Sequence, residues 1–426
     1  MTAASDRTVA CQREQGADLP VSDEMLVPGE RVDSSVTPTA NPADPTDDEE
    51  INERYVRGEI RIVVEQARYQ LKQVPALVQS ADYNLQPTFQ RRPRWSREKQ
   101  SRLIESFIVN VPVPPVFLYE SELSRFEVMD GRQRLTAISE FYSDRFTLIG
   151  LTEWPELNGR KYSDLPEQIR RGIDRRYLSS IVLLHETAKT EAEAERLKQL
   201  VFERINTGGE DLTPQETRNA LHPGPLNDLC MRLSRHPSFC YLWDIPEPDA
   251  DELAEDVDWS PPEELISNRR YRTMEDVQLV LRFFAHRQRD RLWRGGSLDD
   301  YLSYYLTVGN QFDHATIGML GEIFKDTSDL AQNLLGQNAF WLYRMRRSEW
   351  WWIGGSTVTA YDPMMNALSQ LLDSRETLIA RSSEISEKLT DFYKENSAIF
   401  DGRKVNPSDI RDRDSLMLDF MQGFAS

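Results

Sequence analysis

The residues best placed for chemistry lie in FEVMDGRQRLTAISEFY, residues 126–142. The alternation of Phe126–Met129 predicts a short strand ending at Asp130-Gly131. Leu135, Ile138 and Phe141 recur every three residues and predict a helix just beyond it. Arg132, Gln133 and Arg134 then stand at or just before that helix's first turn. Glycine permits a tight left-handed turn, a helix start offers unpaired N–H groups and the positive end of a dipole, and arginines add forked donors matched to phosphate oxygens. Asp130 could hold a divalent cation or orient one of the arginines. The chemistry is that of a phosphate-binding turn, against the plainer alternative of a surface turn with solvated arginines.

Two more segments carry functional residue types. QPTFQRRPRW, residues 86–95, offers the Gln90 amide and the Arg91 guanidinium, with Trp95 able to stack; an exposed basic edge strand explains it as well. FERINTGGEDLTPQETRNAL, residues 202–221, brings Arg204 and Asn206 to a Gly-Gly turn between two helices, which composition alone explains as a helix junction.

The elements that must position these residues follow from local signals. Ile60, Ile62 and Val64 alternate as a strand would, and a short helix follows Pro75. Ser96 is an N-cap for a helix over 97–109 whose apolar face holds Leu103, Ile104, Phe107 and Ile108. Val116–Tyr119 and Ile181–Leu184 read as strands. Thr213-Pro214 with Glu216 predicts a helix opened by a capping box. From residue 271 onward the periodicity is helical, over 271–294, 298–312, 314–335, 361–372 and 375–395. Trp350-Trp351-Trp352 reads as core packing between helices or as a stacking platform. The arginines of 282–294 read as a solvated helix face or a phosphate contact.

At 426 residues and roughly 150 per domain, two or three domains are expected. The net charge of −19 resides in two places: residues 1–50 hold 12 acidic and 3 basic residues, and residues 241–264 hold 10 acidic and none basic, leaving 48 of each sign. The first segment reads as a disordered acidic tail whose removal should not change thermal stability. The second reads as a mobile acidic surface loop. No apolar run is long enough to span a membrane, and the opening MTAASDRTVACQREQ lacks the apolar stretch of a secretory signal. Cys11, Cys230 and Cys240 are too few and scattered for a disulfide framework, which points to a cytoplasmic protein.

The ordered trio of QR…W, DG-x-QR and FxRINTGGxxLTPQExRNA resembles the N-terminal domain of GmrSD-type restriction endonucleases, from about Val74 to Leu221, with RTMEDVQLVLRFF (272–284) resembling that family's helical extension. The resemblance implies a domain similar in fold to ParB and sulfiredoxin. The fold expected is therefore α+β, with a mixed-sheet domain over 51–222 and a helical domain over 223–426. It also implies a nucleoside triphosphate, bound with a divalent metal such as Mg²⁺ and hydrolysed, in a regulatory component of DNA restriction or anti-phage defence. By position, Asp130, Gly131, Gln133 and Arg134 would form the triphosphate site, with Arg132 beside them and Gln90 and Arg91 completing it. Arg204 and Asn206 would border it. Asp130 would help place the metal, Gln133 would orient water or phosphate, and Arg134 would neutralise phosphate charge. Arg132 stands where the family usually has glutamine, which makes binding a firmer expectation than turnover. The fused relatives carry an HNH nuclease domain; His185, His222, His236, His286 and His314 show no ββα pattern, so a separate nuclease subunit and DNA are the expected partners. Two alternatives follow from the same residues: a ParB-like DNA-binding module without turnover, and a ParB-like nuclease.

Overall fold

The computed structural model describes residues 26–32, 64–84, 95–184, 213–253, 261–293, 297–403 and 406–425, with isolated helical positions at 52, 197, 200, 201 and 204. The chain is α+β: a five-stranded mixed sheet precedes a mostly helical region. Strands β1 (Val64–Gln70), β2 (Tyr83–Asn84), β3 (Val116–Glu122), β4 (Arg125–Asp130) and β5 (Tyr177–Leu183) lie in the order β1-β5-β3-β4-β2. The β1/β5 and β3/β4 pairs are antiparallel, and β5/β3 and β4/β2 are parallel.

Alternation along the strands gives the sheet two apolar faces. Leu118 and Val128 point to one side, against helices α1 (Val74–Gln79), α2 (Arg97–Val109) and α3 (Arg132–Tyr142) through Val74, Leu103, Ile104, Phe107, Leu135, Ile138 and Phe141. Tyr119, Met129 and Leu183 point to the other side, where Ala220 and Leu221 cover them. The expected start of α2 is present: the Ser96 side chain accepts from the Lys99 N–H, and Asn110 ends the helix at φ +61°. Helix α4 (Pro214–Leu221) opens with the expected reciprocal Thr213/Glu216 cap. It also ties the two regions together, since Thr213 Oγ1 donates to the Thr273 carbonyl at 2.8 Å and Arg218 pairs with Asp299 at 2.9 Å.

The helical region comprises α5 (Pro225–Leu233), α6 (Pro237–Trp243), α7 (Glu275–Arg287), α8 (Leu298–Gly309), α9 (His314–Leu335), α10 (Val358–Ser369), α11 (Ser382–Glu395) and α12 (Pro407–Gln422), with shorter helices between. Its core is aromatic; Trp243, Phe340 and Tyr361 meet with ring centroids 4.9–5.8 Å apart. Cys230 and Cys240 are buried free thiols.

Four expectations need correction. First, the arginines of 282–294 are neither solvated nor aimed at phosphate where they are described. Arg282 grips both oxygens of Asp362 (Nε–Oδ1 2.6 Å), Arg287 pairs with Glu30, and Arg289 donates to His286 Nδ1 while His286 Nε2 meets Asp414 at 2.7 Å. Arg291's side chain and Arg294 lie outside the described residues. Second, residues 26–32 are not a loose tail. Glu30 is fully buried with Oε1 and Oε2 at 3.1 and 3.2 Å from Arg287, Gln288 bonds the Glu30 carbonyl and the Val32 N–H, and Val32 joins the helical core. The remainder of 1–50 falls outside the described residues. Third, the acidic loop begins later than residue 241. Leu242, Trp243 and Ile245 are core, and Glu252 pairs with Arg235 at 2.6 Å; residues 254–260 lie outside the described residues. Fourth, Trp350–Trp352 belong to a strand. β6 (Leu342–Arg346) and β7 (Glu349–Ile353) form an antiparallel hairpin within the helical region.

The Arg282–Asp362 pair predicts an acid response. Burial alone would raise the Asp362 pKa, but Arg282, with His286 and Arg289, outweighs it and holds the carboxyl below its usual range. A folded pKa below the unfolded value of about 3.9 contributes stability above that pH, and the contribution is lost as pH falls through the folded value. Asp362→Asn should therefore melt below the wild type at pH 7, with the gap narrowing in scans at progressively lower pH below about 4. A gap that stays constant with pH would contradict the assignment.

Candidate functional site

The site is built where β4 hands the chain to α3. Val128 and Met129 anchor the end of β4 on opposite faces of the sheet, and Asp130 pairs across to Phe117. Gly131 follows at φ +96°, a left-handed conformation, and serves as the N-cap of α3. The turn passes directly over the start of β3: a Cβ on Gly131 would lie 2.4 Å from Val116 Cγ1 and 2.8 Å from Val116 Cβ. Both the conformation and the space therefore demand glycine. Leu135, Ile138 and Phe141 bury one face of α3, which packs its N-terminus against the end of β4.

Asp130 and Arg134 come together across this turn. Arg134 Nη2 lies 2.7 Å from Asp130 Oδ2 and also donates to the Pro115 carbonyl at 3.3 Å. Their side chains are 26% and 13% exposed, so the pair is sheltered but reachable. Among the described residues, Arg134 Nε is buried without a hydrogen-bond partner. Of the two roles open to Asp130 from sequence, the structure displays the orientation of an arginine. Arg132 and Gln133 occupy the same helical turn and are half-buried, each engaged elsewhere in the chain. The N-terminal turn of a helix, one guanidinium and a glycine without a Cβ are what an anionic ligand would meet here.

The other expected residues are placed only in part. Gln90, Arg91 and Asn206 lie outside the described residues. Arg204 is helical and exposed. The chain before Gln90 is informative: β2 runs parallel to β4 with Asn84 beside Glu127, and Tyr83 stacks on Phe126 at 5.0 Å. At Asn84 the chain is thus heading in the direction in which β4 reaches Asp130.

Among the described residues, no three His, Cys, Asp or Glu side chains gather in a way that could hold a metal ion. Histidines of the helical region serve structural contacts: His236 meets Asp329 at 2.7 Å, His286 meets Asp414, and His222 lies 3.1 Å from Thr307 Oγ1. Sequence reasoning missed Pro115 and Val116 as parts of the site. VPVPP (111–115) reads as a helix stop and Val116 as a strand start, and nothing local shows that Val116 lies under the glycine turn. The Asp130–Arg134 pair did leave a signal, the i,i+4 spacing that places opposite charges together at a helix end.

The fold and site define an α+β protein with a rigid strand–glycine–helix turn suited to an anion. Residues 74–223 match the model of the GmrSD restriction endonuclease N-terminal domain family, so the chain carries a domain of that family. The match covers β2 to β5, the whole turn and helix α4, whereas β1 lies ahead of it. It points to a component of a restriction or defence system. No curated protein and no solved structure matches the chain. Among the described residues, no helix is long and apolar enough to cross a membrane.

Proposed function

We propose that the chain is a nucleoside triphosphate-binding regulatory component of a restriction or anti-phage system, with the triphosphate held at the Asp130–Arg134 turn. The observation that carries this reading is the left-handed glycine at the N-terminus of α3, packed on Val116 with Arg134 alongside. Phosphate oxygens approach the first turn of α3, where the helix dipole and backbone donors favour negative charge. Arg134 supplies charge-assisted hydrogen bonds. Gln133 lies on the same turn and is the candidate for orienting an attacking water. Gln90 and Arg91, which follow β2 in sequence, are the proposed further donors to the triphosphate.

Asp130 fits a divalent cation in one way only. Mg²⁺ is commonly held by one or two carboxylates together with substrate phosphates, and Asp130 offers one carboxylate already balanced by Arg134. Such a cation would supply neutralisation of phosphate charge. Engaging it would loosen Asp130 from Arg134 and turn that guanidinium toward the ligand. Cleavage of DNA is assigned to a separate nuclease subunit that reads the nucleotide state.

Calorimetric titration with a magnesium–nucleoside triphosphate tests the reading. Arg134→Ala should weaken binding by tenfold or more, since charge-assisted bonds are worth about 1.5–3 kcal/mol, while circular dichroism stays unchanged. Asp130→Asn separates its two roles. Weaker binding only when magnesium is present identifies a metal ligand, and tighter metal-free binding identifies a restraint on Arg134. If Arg134→Ala binds as the wild type does, the turn is not the site.

A further inference from the structure

The β6–β7 hairpin stands apart from the chemistry above. Its root is fixed: Leu342 is buried, Trp352 meets Tyr393 edge-on at 6.2 Å, and Arg344 Nη2 donates to the Phe400 carbonyl. Its far end is not covered. Met345, Arg346, Arg347, Ser348 and Glu349 are all exposed. Register puts Tyr343, Met345, Trp350 and Trp352 on one face, and Arg344, Arg346, Glu349 and Trp351 on the other. Tyr343 and Trp350 stack at 5.8 Å with planes 17° apart, which stiffens the arm. On the second face Trp351 is 55% exposed, directly across from Arg344.

The turn at the tip adds an independent observation. Arg347 and Ser348 both have positive φ, +49° and +71°. Two-residue hairpin turns of this kind favour asparagine and glycine, because other residues are strained there. The hairpin thus keeps an arginine at its apex against conformational preference. Residues 344–349 present three arginines against one glutamate. An exposed indole beside this excess of cations matches a ligand made of flat rings and phosphates.

We propose that the hairpin is a contact for single-stranded nucleic acid, with a base stacked on Trp351 and flanking phosphates met by Arg346 and Arg347. Stacking combined with cationic side chains holds single strands with little regard to sequence. A protein partner would also use tryptophan and arginine, but the charge imbalance favours a polyanion. This surface does not rest on the triphosphate reading, and its test makes no use of nucleotide.

Fluorescence anisotropy of a fluorescein-labelled oligothymidylate with the full chain tests it. Trp351→Ala should weaken binding about tenfold, and Trp351→Phe should restore most of it. Arg346→Gln with Arg347→Gln should make the plot of log affinity against log salt shallower, by about 0.7 for each phosphate that is no longer neutralised. Unchanged circular dichroism excludes misfolding as the cause. Absence of oligothymidylate binding by the wild type, or equal binding by all variants, would overturn the proposal. Equal binding by all variants would also return the hairpin to a protein-partner role.

Discussion

Replacing Glu30 with alanine is expected to lower the stability of the helical domain by about 3–5 kcal/mol, because it breaks a buried ion pair by removing one member. Arg287 is 4% exposed and loses both carboxylate oxygens at once. At 2–4 °C per kcal/mol for a unit of 150–250 residues, the melting temperature should fall by roughly 10 °C. Removing residues 1–33 should do the same, since it also deletes Val32 from the core and the two bonds from Gln288. The paired substitution Glu30→Met with Arg287→Met should recover much of the loss, as apolar replacements of buried ion pairs often do. Scanning calorimetry decides: a Glu30→Ala melting temperature within a degree of wild type would show that the segment is not docked in solution. The consequence for function is topological. The segment precedes the sheet in sequence yet packs between α7 and α9, with Thr316 bonding the Pro28 carbonyl. The matched family domain is therefore flanked on both sides by chain that belongs to the helical core.

The contrast between Gly131 and Glu30 explains what could be read from sequence. The strand–glycine–helix turn was legible because every signal for it is local: an alternating strand, a glycine and a helical period within seventeen residues. The Ser96 and Thr213 caps were legible for the same reason, each bonding three residues ahead. Glu30 was not, because its partner lies 257 residues away and the surrounding composition is that of a solvated segment. The arginines of α7 failed similarly. The acids that meet Arg282, His286 and Arg287, namely Asp362, Asp414 and Glu30, come from α10, α12 and the N-terminal segment, so a helix that looks amphipathic and basic becomes an internal strut. The hairpin was hidden by its turn. Arg347-Ser348 carries none of the Gly or Asn punctuation that marks a reversal, so three consecutive tryptophans read as helix packing rather than as a strand. Pro115 was seen only as part of a helix stop and Val116 only as the start of a strand, because their role depends on strand pairing, which places Phe117 beside Asp130.

Gly131→Ala should be the most damaging single change at the turn. The left-handed conformation costs an alanine about 1–2 kcal/mol. The new methyl would sit 2.4 Å from Val116 Cγ1, and relieving such crowding in packed surroundings costs about 1–3 kcal/mol more. Together these lower the stability of the sheet domain by about 2–5 kcal/mol. The helix start must then lift off β3, carrying Arg134 away from the Pro115 carbonyl and from Asp130. Triphosphate binding should be lost even at temperatures where the sheet domain stays folded. Val116→Ala in the same chain should recover part of the stability by making room, but not the conformational cost, so binding returns only partly. The helical domain should be unaffected: its calorimetric transition and the binding of oligothymidylate at the hairpin should match the wild type, which separates local damage from global unfolding. Were Gly131→Ala to bind triphosphate with wild-type affinity and melt normally, neither the close approach to Val116 nor the anion-binding role of this turn could stand.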